Sequence, residues 1–371
     1  NIYNFSVFPI SISILTVLLP GKCIKLTPII YWQPVTCLKV PSEFRITGQI
    51  PKTVFRIHQI STMSGIPKPC GIGFIGLGIM GRGMVARLLT QTSAGTSDTP
   101  LVVWNRTVSK CEDLVAAYPN ATITIASSPR EVVSQCIFTY SMLSTPEVAR
   151  EVFEAKEGTL AGIREGVAVI DCATLAESDM VRMAKAVKEK GGRFLEAPVS
   201  GSKGPAEGGT LIFLCAGDRT VFEDPVVTSG LSAMGKASHF HNEMVGYGTR
   251  AKLVVNSLMG TMMAAYSEGL ALSEAVGLDC GKMIEIIGQG AISSPMYALK
   301  GPKMVAGNHS PNFPLKHAHK DMVLAKDMAN NARVEYSVMN QAETLFKSAR
   351  DNQTLAEDDF SAVHEIIKKK K

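Results

Sequence analysis

Three glycines at fixed spacing, Gly76-x-Gly78-x-x-Gly81, stand between a short apolar run and a helical pattern, and nothing else in the chain restricts its fold as much. The run Ile72–Ile75 suits a buried parallel strand, while Met80, Met84, Val85, Leu88 and Leu89 recur at helical spacing behind it. In such a strand–turn–helix unit each glycine has its own task. Gly76 permits the tight turn, Gly78 lets a pyrophosphate approach the backbone, and Gly81 lets the helix pack on the strand. Free N–H groups and the dipole at the helix N-terminus, beside Ile79 and Met80, then favour an anion. A second apolar strand, Leu101–Trp104, follows at the distance this unit requires. The pattern predicts a nicotinamide dinucleotide site.

The tip of that second strand bears on which dinucleotide. NAD enzymes carry Asp or Glu there to hold the ribose 2′-hydroxyl. This chain has Asn105, Arg106 and Thr107, with Ser109 and Lys110 close behind. A carboxylate would repel a 2′-phosphate, whereas a guanidinium pairs with it in a fork. The alternative is a solvated arginine at a strand end. The residues favour NADPH over NADH.

A chain of 371 residues is long enough for two domains. Its net charge of +5 is unevenly spread: residues 1–70 carry seven Lys or Arg against the acid Glu43, so the remaining 301 sum to −1. The body has no evident basic stripe, and no nucleic-acid partner is expected. The closing 368–371 lysines suit a solvated tail. Eight cysteines (23, 37, 70, 111, 136, 172, 215 and 280) show no CxxC and suit small buried hydrophobes in a reducing compartment. His317 and His319 flank Ala318 without further ligands nearby, so no metal is expected.

Residues 1–69 are set apart from the fold as a leader or disordered extension. The apolar stretch 5–19 is broken by Pro9 and falls short of the roughly 20 residues of a spanning helix. No membrane partner is expected. No basic region precedes the stretch, and arginine is sparse. Met63 would make a natural start. A transit peptide, translated upstream sequence and a poorly ordered extension all remain open. The compartment is expected to be cytoplasmic, or a plastid or mitochondrion if 1–69 is a transit peptide.

From residue 70 strands and helices alternate. Strands are predicted at 122–125, 136–140, 167–171, 193–197 and 210–216, with helices at 110–117, 129–133, 146–153 and 180–190. Met142 and Leu143 follow the fourth strand and Thr174 the fifth, at the carboxyl ends where open α/β sheets bind ligands. Thr174 could also cap the next helix, with Glu177 completing a capping box. Ser200, Gly201 and Ser202 lie in a loop of small residues whose N–H groups could form an anion nest. Beyond 242 the patterns turn helical: 244–276, 280–288, 314–330, 338–350 and 360–368. The fold class is therefore an α/β Rossmann-type dinucleotide-binding domain, 70–240, followed by an all-helical C-terminal domain, 241–371.

Lys252 and Asn256, four apart, project from one face of the long helix. Hydride transfer to a carbonyl builds negative charge on its oxygen, and an ammonium beside a carboxamide supplies a proton donor and a hydrogen bond. Leu253, Val254 and Leu258 place the pair in an apolar segment, where an idle lysine would be costly. Phe313, Lys320 and Asp321 form a second cluster that alone is only a charged helix start.

Together these motifs resemble the β-hydroxyacid dehydrogenase family over residues 71–369. The likeness rests on the glycine turn, Asp171-x-x-Thr174, Pro198-Val199-Ser200-Gly201, Gly246-x-Gly248-x-x-x-Lys252-x-x-x-Asn256 and Lys320-Asp321. Within the family, residues 103–107, 200–207 and 313–322 are most similar to the glyoxylate/succinic semialdehyde reductase branch. The resemblance implies that Lys252 protonates the nascent alkoxide with Asn256 placing it. It implies that Ser200, Gly201 and Ser202 hold a substrate carboxylate and that Thr174 borders the nicotinamide. Phe313, Lys320 and Asp321 would close the site. It further implies a dimer or tetramer through the helical domain. Ala173 departs from the family, which more often has Ser there. Decarboxylating sugar-phosphate relatives have His where Val255 stands, which argues against that branch. Two alternatives remain: 3-hydroxyisobutyrate-type dehydrogenase chemistry, and a non-catalytic NADP-binding scaffold, for which a missing lysine at 252 would be expected.

Overall fold

A computed structural model of the chain describes residues 16–19, 22–25, 71–352 and 354–368. Its contacts divide into two compact units, 1–64 and 65–371. In the first, β1 (Thr16–Leu19) and β2 (Lys22–Lys25) pair antiparallel. The rest of the segment read as a leader, with Met63 and Cys37, lies outside the described residues, as do Cys70 and the tail beyond Lys368.

The second unit begins with the predicted alternation. Its elements are β3 (Ile72–Ile75), α1 (Ile79–Gln91), β4 (Leu101–Trp104), α2 (Ser109–Ala117), β5 (Ile123–Ile125), α3 (Pro129–Gln135), β6 (Phe138–Ser141) and α4 (Pro146–Glu154). There follow β7 (Ala168–Asp171), α5 (Glu177–Glu189), β8 (Arg193–Glu196), β9 (Val199–Ser200), α6 (Lys203–Gly208) and β10 (Leu211–Gly217). Then come α7 (Arg219–Phe222), α8 (Pro225–Met234) and β11 (Gly235–Asn242). They build one sheet in the order β11-β10-β8-β7-β6-β3-β4-β5, with β9 alongside β10. From β8 to β5 all pairings are parallel; β10 meets β8 and β9 antiparallel. The chain leaves β3 for β4 on one side and returns to β6 on the other. That reversal opens a crevice at the carboxyl ends of these strands.

The apolar runs arise because both faces of the sheet are covered. Phe74, Val103 and Ile170 enter one core cluster, while their neighbours Ile75, Val102 and Val169 enter the other. This is the period-two alternation of a strand with no solvent face. Phe74 stacks on the fully buried Tyr140 at 6.2 Å.

At the glycine turn, Gly76 has a φ of +98°, and a Cβ there would lie 2.4 Å from the Met142 carbonyl oxygen. A Cβ on Gly81 would lie 1.9 Å from the Gly76 oxygen, so α1 reaches the strand only through glycine. A Cβ on Gly78 would meet nothing within 4 Å. Gly81→Ala is therefore expected to lower the thermal midpoint by roughly 5 °C or more. Gly78→Ala should leave it unchanged, and a circular-dichroism melt of both variants checks the contrast.

Beyond the sheet stand α9 (Tyr247–Ala275), α10 (Cys280–Gln289), α11 (Pro295–Val305), α12 (Leu315–Asn331) and α13 (Ser337–Asp351). A 3₁₀ turn (Phe360–Val363) leads into α14 (His364–Ile367). Met263, Leu270, Met304, Leu315, Met322 and Phe346 form a separate core here.

Three expectations need correction. Thr174 does not cap the following helix: residues 174–176 lie outside it, Leu175 is buried in the core, and Ala176 precedes α5 without a side-chain cap. That helix starts at Glu177, three residues before the predicted 180. The sequence reading also lacked β11 and α11. As an edge strand β11 alternates polar and half-buried residues, and α11 contains Gly301 and Pro302, which disguise its helical pattern.

Candidate active site

A cavity of about 340 Å³ opens where the carboxyl ends of β3, β4 and β6 meet the start of α12. From the sheet side its walls are Gly76, Gly78, Ile79, Met80, Gly81, Asn105, Arg106, Thr107, Met142, Leu143 and Thr174. Phe313, Lys320 and Asp321 face them from the helical side. Lys110 and Ser144, each read beside the cofactor from the sequence, also line it, as do Trp104, Asn312 and His317, to which the sequence had given no place there.

Local hydrogen bonds fix the dinucleotide end. Asn105 Oδ1 accepts from the Leu77 N–H at 2.9 Å and its Nδ2 donates to the Thr107 oxygen at 2.9 Å. The residue standing where an acid was sought thus ties the glycine turn to the strand tip. At the N-terminus of α1, Gly78 brings no capping side chain and no acid occupies the first turn. These N–H groups remain available to an anion. Arg106 is solvated, with Glu151 at 3.8 Å.

The other end is a buried polar relay. Lys252 Nζ donates to Asn256 Oδ1 at 2.8 Å, and Asn256 Nδ2 donates to Asp321 Oδ2 at 2.6 Å. Lys320 Nζ lies 3.0 Å from Asp321 Oδ1, outside hydrogen-bonding direction, and donates to the Thr174 oxygen at 2.5 Å. Lys252, Asn256 and Asp321 are each at most 5 % exposed. Burial lowers the Lys252 ammonium to about 8; Lys320 pushes the same way and Asp321 opposes them. Lys252 and Asn256 do not themselves wall the cavity but stand behind Asp321. Asp171 ends β7, where burial raises its carboxyl to about 6, and its Oδ1 takes the Ala173 N–H at 3.0 Å. That contact turns the chain toward Thr174.

Two distant groups hold these parts in place. Asp359 is fully paired inside the helical core: Lys300 Nζ lies 2.6 and 2.7 Å from its oxygens. Asp359 Oδ2 also takes the N–H groups of Asn312 and Phe313 at 3.0 and 3.3 Å, fixing the loop that carries Phe313. Glu196, at the end of β8, accepts the first N–H groups of α9. A lone carboxylate in the apolar run 193–197 was the signal available for Glu196. Lys300 and Asp359, 59 residues apart, had none.

Ser200, Gly201 and Ser202 do not wall the cavity. Gly201 has a φ of +133°, Ser202 precedes α6, and the next residue, Lys203, donates its N–H to the Asn312 oxygen at 3.4 Å. The segment therefore borders the Phe313 loop. His317 is held neutral, lowered to about 4 by burial and by Lys320 and Lys316. His319 turns away to Glu343 at 2.9 Å.

Residues 71–248 match the family described as the NAD binding domain of 6-phosphogluconate dehydrogenase. Residues 246–367 match that described as NAD-binding of NADP-dependent 3-hydroxyisobutyrate dehydrogenase. Over 297 residues the chain is 44% identical to glyoxylate/succinic semialdehyde reductase 2, chloroplastic, of Arabidopsis thaliana, covering 80% of this chain and 79% of that protein. Against reductase 1 of the same plant identity is 42% over 297 residues, covering 80% and 98%. A crystal structure of a 3-hydroxyisobutyrate dehydrogenase from Salmonella typhimurium superposes with a TM-score of 0.70 at 24% identity, over 80% of this chain and 99% of that one. This last likeness is one of fold.

Proposed function

The chain belongs to the β-hydroxyacid dehydrogenase family, and from that premise we propose an NADPH-dependent reductase of small aldehyde acids, taking glyoxylate to glycolate and succinic semialdehyde to 4-hydroxybutyrate. The observation that carries this reading is the buried Lys252–Asn256–Asp321 relay behind a cavity floored by the glycine turn. Residues 70–240 act as the NADP-binding domain and 241–371 as the helical domain.

The residues suit the cofactor. Open space over Gly78, uncapped N–H groups on α1 and the acid-free tip Asn105-Arg106-Thr107 match a pyrophosphate and a 2′-phosphate. Ile79, Met80 and Gly81 continue the cradle, Met142 and Leu143 border the ring, and Lys320 reaches it from α12. When bound, NADPH supplies the hydride. Asn256 occupies one of the three Lys252 N–H bonds, which leaves two for the carbonyl oxygen; Lys252 gives it a proton as negative charge develops. Asp321 orients the Asn256 amide so that its oxygen faces Lys252. Thr174 and Phe313, which wall the cavity, flank the reacting carbon, and Ser200, Gly201 and Ser202, beside the Phe313 loop and off the cavity wall, receive the substrate carboxylate.

Purified protein mixed with NADPH and either aldehyde acid should consume the reduced cofactor, followed by its absorbance. NADPH binding without turnover of either would sink the proposed substrate class. The match of 246–367 favours a second reading, oxidation of a 3-hydroxyisobutyrate-type acid. Faster oxidation of that alcohol, with NADP or NAD, than reduction of either aldehyde acid would select it.

Two further results are expected. Lys252 must be protonated to act, so aldehyde reduction should fall about tenfold per pH unit above about pH 8. A kcat profile flat to pH 10 would place the proton donor elsewhere. Gly78→Ala, which keeps the fold, should weaken NADPH binding by about tenfold in a fluorescence titration, because its methyl group fills the approach to the pyrophosphate.

A homo-oligomer, dimer or tetramer, fits the apolar surface of the helices: α10 buries none of its residues, and Leu258, Leu272 and Ile286 are each more than half exposed. Sedimentation velocity tests it. Among the described residues no helix is long and apolar enough to cross a membrane. We assign the protein to the cytoplasm, with a plastid or mitochondrion if 1–69 acts as a transit peptide, as fluorescent fusions with and without that segment would show.

A further inference from the structure

Helix α9 begins without a cap of its own. Its first residue follows Gly246, which has no side chain and a φ of +113°. A helix start normally draws on a Ser, Thr, Asp or Asn at that place. Here the acceptor comes from β8, fifty residues earlier. Glu196 Oε1 takes the N–H groups of Gly246 and Gly248 at 2.5 and 2.9 Å. Its Oε2 takes the N–H and the hydroxyl of Thr249 at 3.2 and 2.7 Å. The side chain is fully buried, and all four donors belong to the start of α9. A Cβ on Gly248 would stand 2.3 Å from the Leu214 oxygen and 3.2 Å from Glu196 Cδ. Glycine is therefore what lets the helix settle onto the sheet.

We infer that Glu196 is a positioning residue for the proton donor: its carboxylate fastens the first turn of α9 to the end of β8 and thereby fixes where Lys252 points. This inference rests on the reductase reading. Lys252 sits four residues beyond Gly248, one helical turn along. Glu196 is anchored in the same sheet whose strand ends wall the cavity, and it pairs in register with Asp171 of β7. A slip or rotation at the helix start moves Nζ relative to the reacting carbonyl. Misplacement of a reacting group by about 1 Å can cost about a hundredfold in rate.

The test uses the full chain and two variants. Glu196→Gln keeps the shape but turns an amide N–H₂ toward Thr249 N–H. Thr249→Val removes one of the four donors. For each, kcat is measured per NADPH-binding site, together with the NADPH dissociation constant and the solvent deuterium isotope effect on kcat. Glu196→Gln is expected to lose about tenfold in kcat, with NADPH affinity within about twofold and a larger solvent isotope effect as proton delivery slows. Thr249→Val should shift kcat and the isotope effect the same way by less. If Glu196→Gln only melts earlier, with unchanged kcat per binding site, the residue merely holds the fold and the inference fails. If that variant does not fold, Thr249→Val decides, and an unchanged kcat and isotope effect overturn the proposal. Should the parent bind NADPH yet turn over no aldehyde acid, it is the reductase reading that falls.

Discussion

Lys252→Ala should lower kcat for either aldehyde acid at least a hundredfold while leaving NADPH binding intact. Keeping the residue buried is costly. An ammonium at 5 % exposure, with one hydrogen bond to Asn256, is held at about 8 against an ordinary 10.5. Between those values the unfolded chain binds more protons than the folded one, so stability rises with pH across that window. The penalty is fully present below about pH 8. It amounts to roughly 3 kcal/mol. A fold keeps such a group where it acts, and general acids of this kind contribute about 10² to 10⁴ in rate. Lys252→Met should therefore lose the activity and also the rise in stability between pH 8 and 10.5, seen by denaturant titration at both pH values. Turnover by Lys252→Ala equal to the parent's would refute the mechanism. The fold would stand, and the proton donor would have to be sought elsewhere.

What could be read from the sequence was what is local. The glycine turn was legible because its constraints lie within six residues: Gly81 must clear the oxygen of Gly76. Lys252 and Asn256 were legible because a helix brings i and i+4 together, and they do bond. The third member, Asp321, joins them across 65 residues, and only likeness to a family pointed to it. Lys300 and Asp359 fix the Phe313 loop through a pairing with no sequence periodicity at all. Thr174 misled because a threonine three residues before a glutamate resembles a capping box. Packing of Leu175 into the core delays the helix, and Lys320 takes the Thr174 carbonyl instead. Asn105 was read for the acid it is not; its amide bridging Leu77 and Thr107 could not be seen without the fold.

Arg106→Ala should reduce kcat/KM with NADPH by about 10- to 100-fold and leave NADH within about threefold, because on the proposed reading the guanidinium pairs with the 2′-phosphate that only NADPH carries. In the protein alone Arg106 stands solvated, 3.8 Å from Glu151, each side chain 68% exposed. Exposed ion pairs of that kind contribute about 0 to 1 kcal/mol. A dianionic phosphate offering bidentate hydrogen bonds replaces Glu151 at little cost, and charge-assisted bonds to it contribute about 1.5 to 3 kcal/mol. Arg106→Lys keeps the charge without the planar fork and should recover only part of the loss. Glu151→Ala removes the competing carboxylate, so NADPH binding should hold or tighten. Raising the salt concentration should weaken NADPH more than NADH, since the discriminating contact lies near the surface. If Arg106→Ala leaves the ratio of the two cofactors unchanged, the preference arises from Thr107 and Lys110 or is absent. A carboxylate missing from the strand tip would then permit both dinucleotides without selecting either.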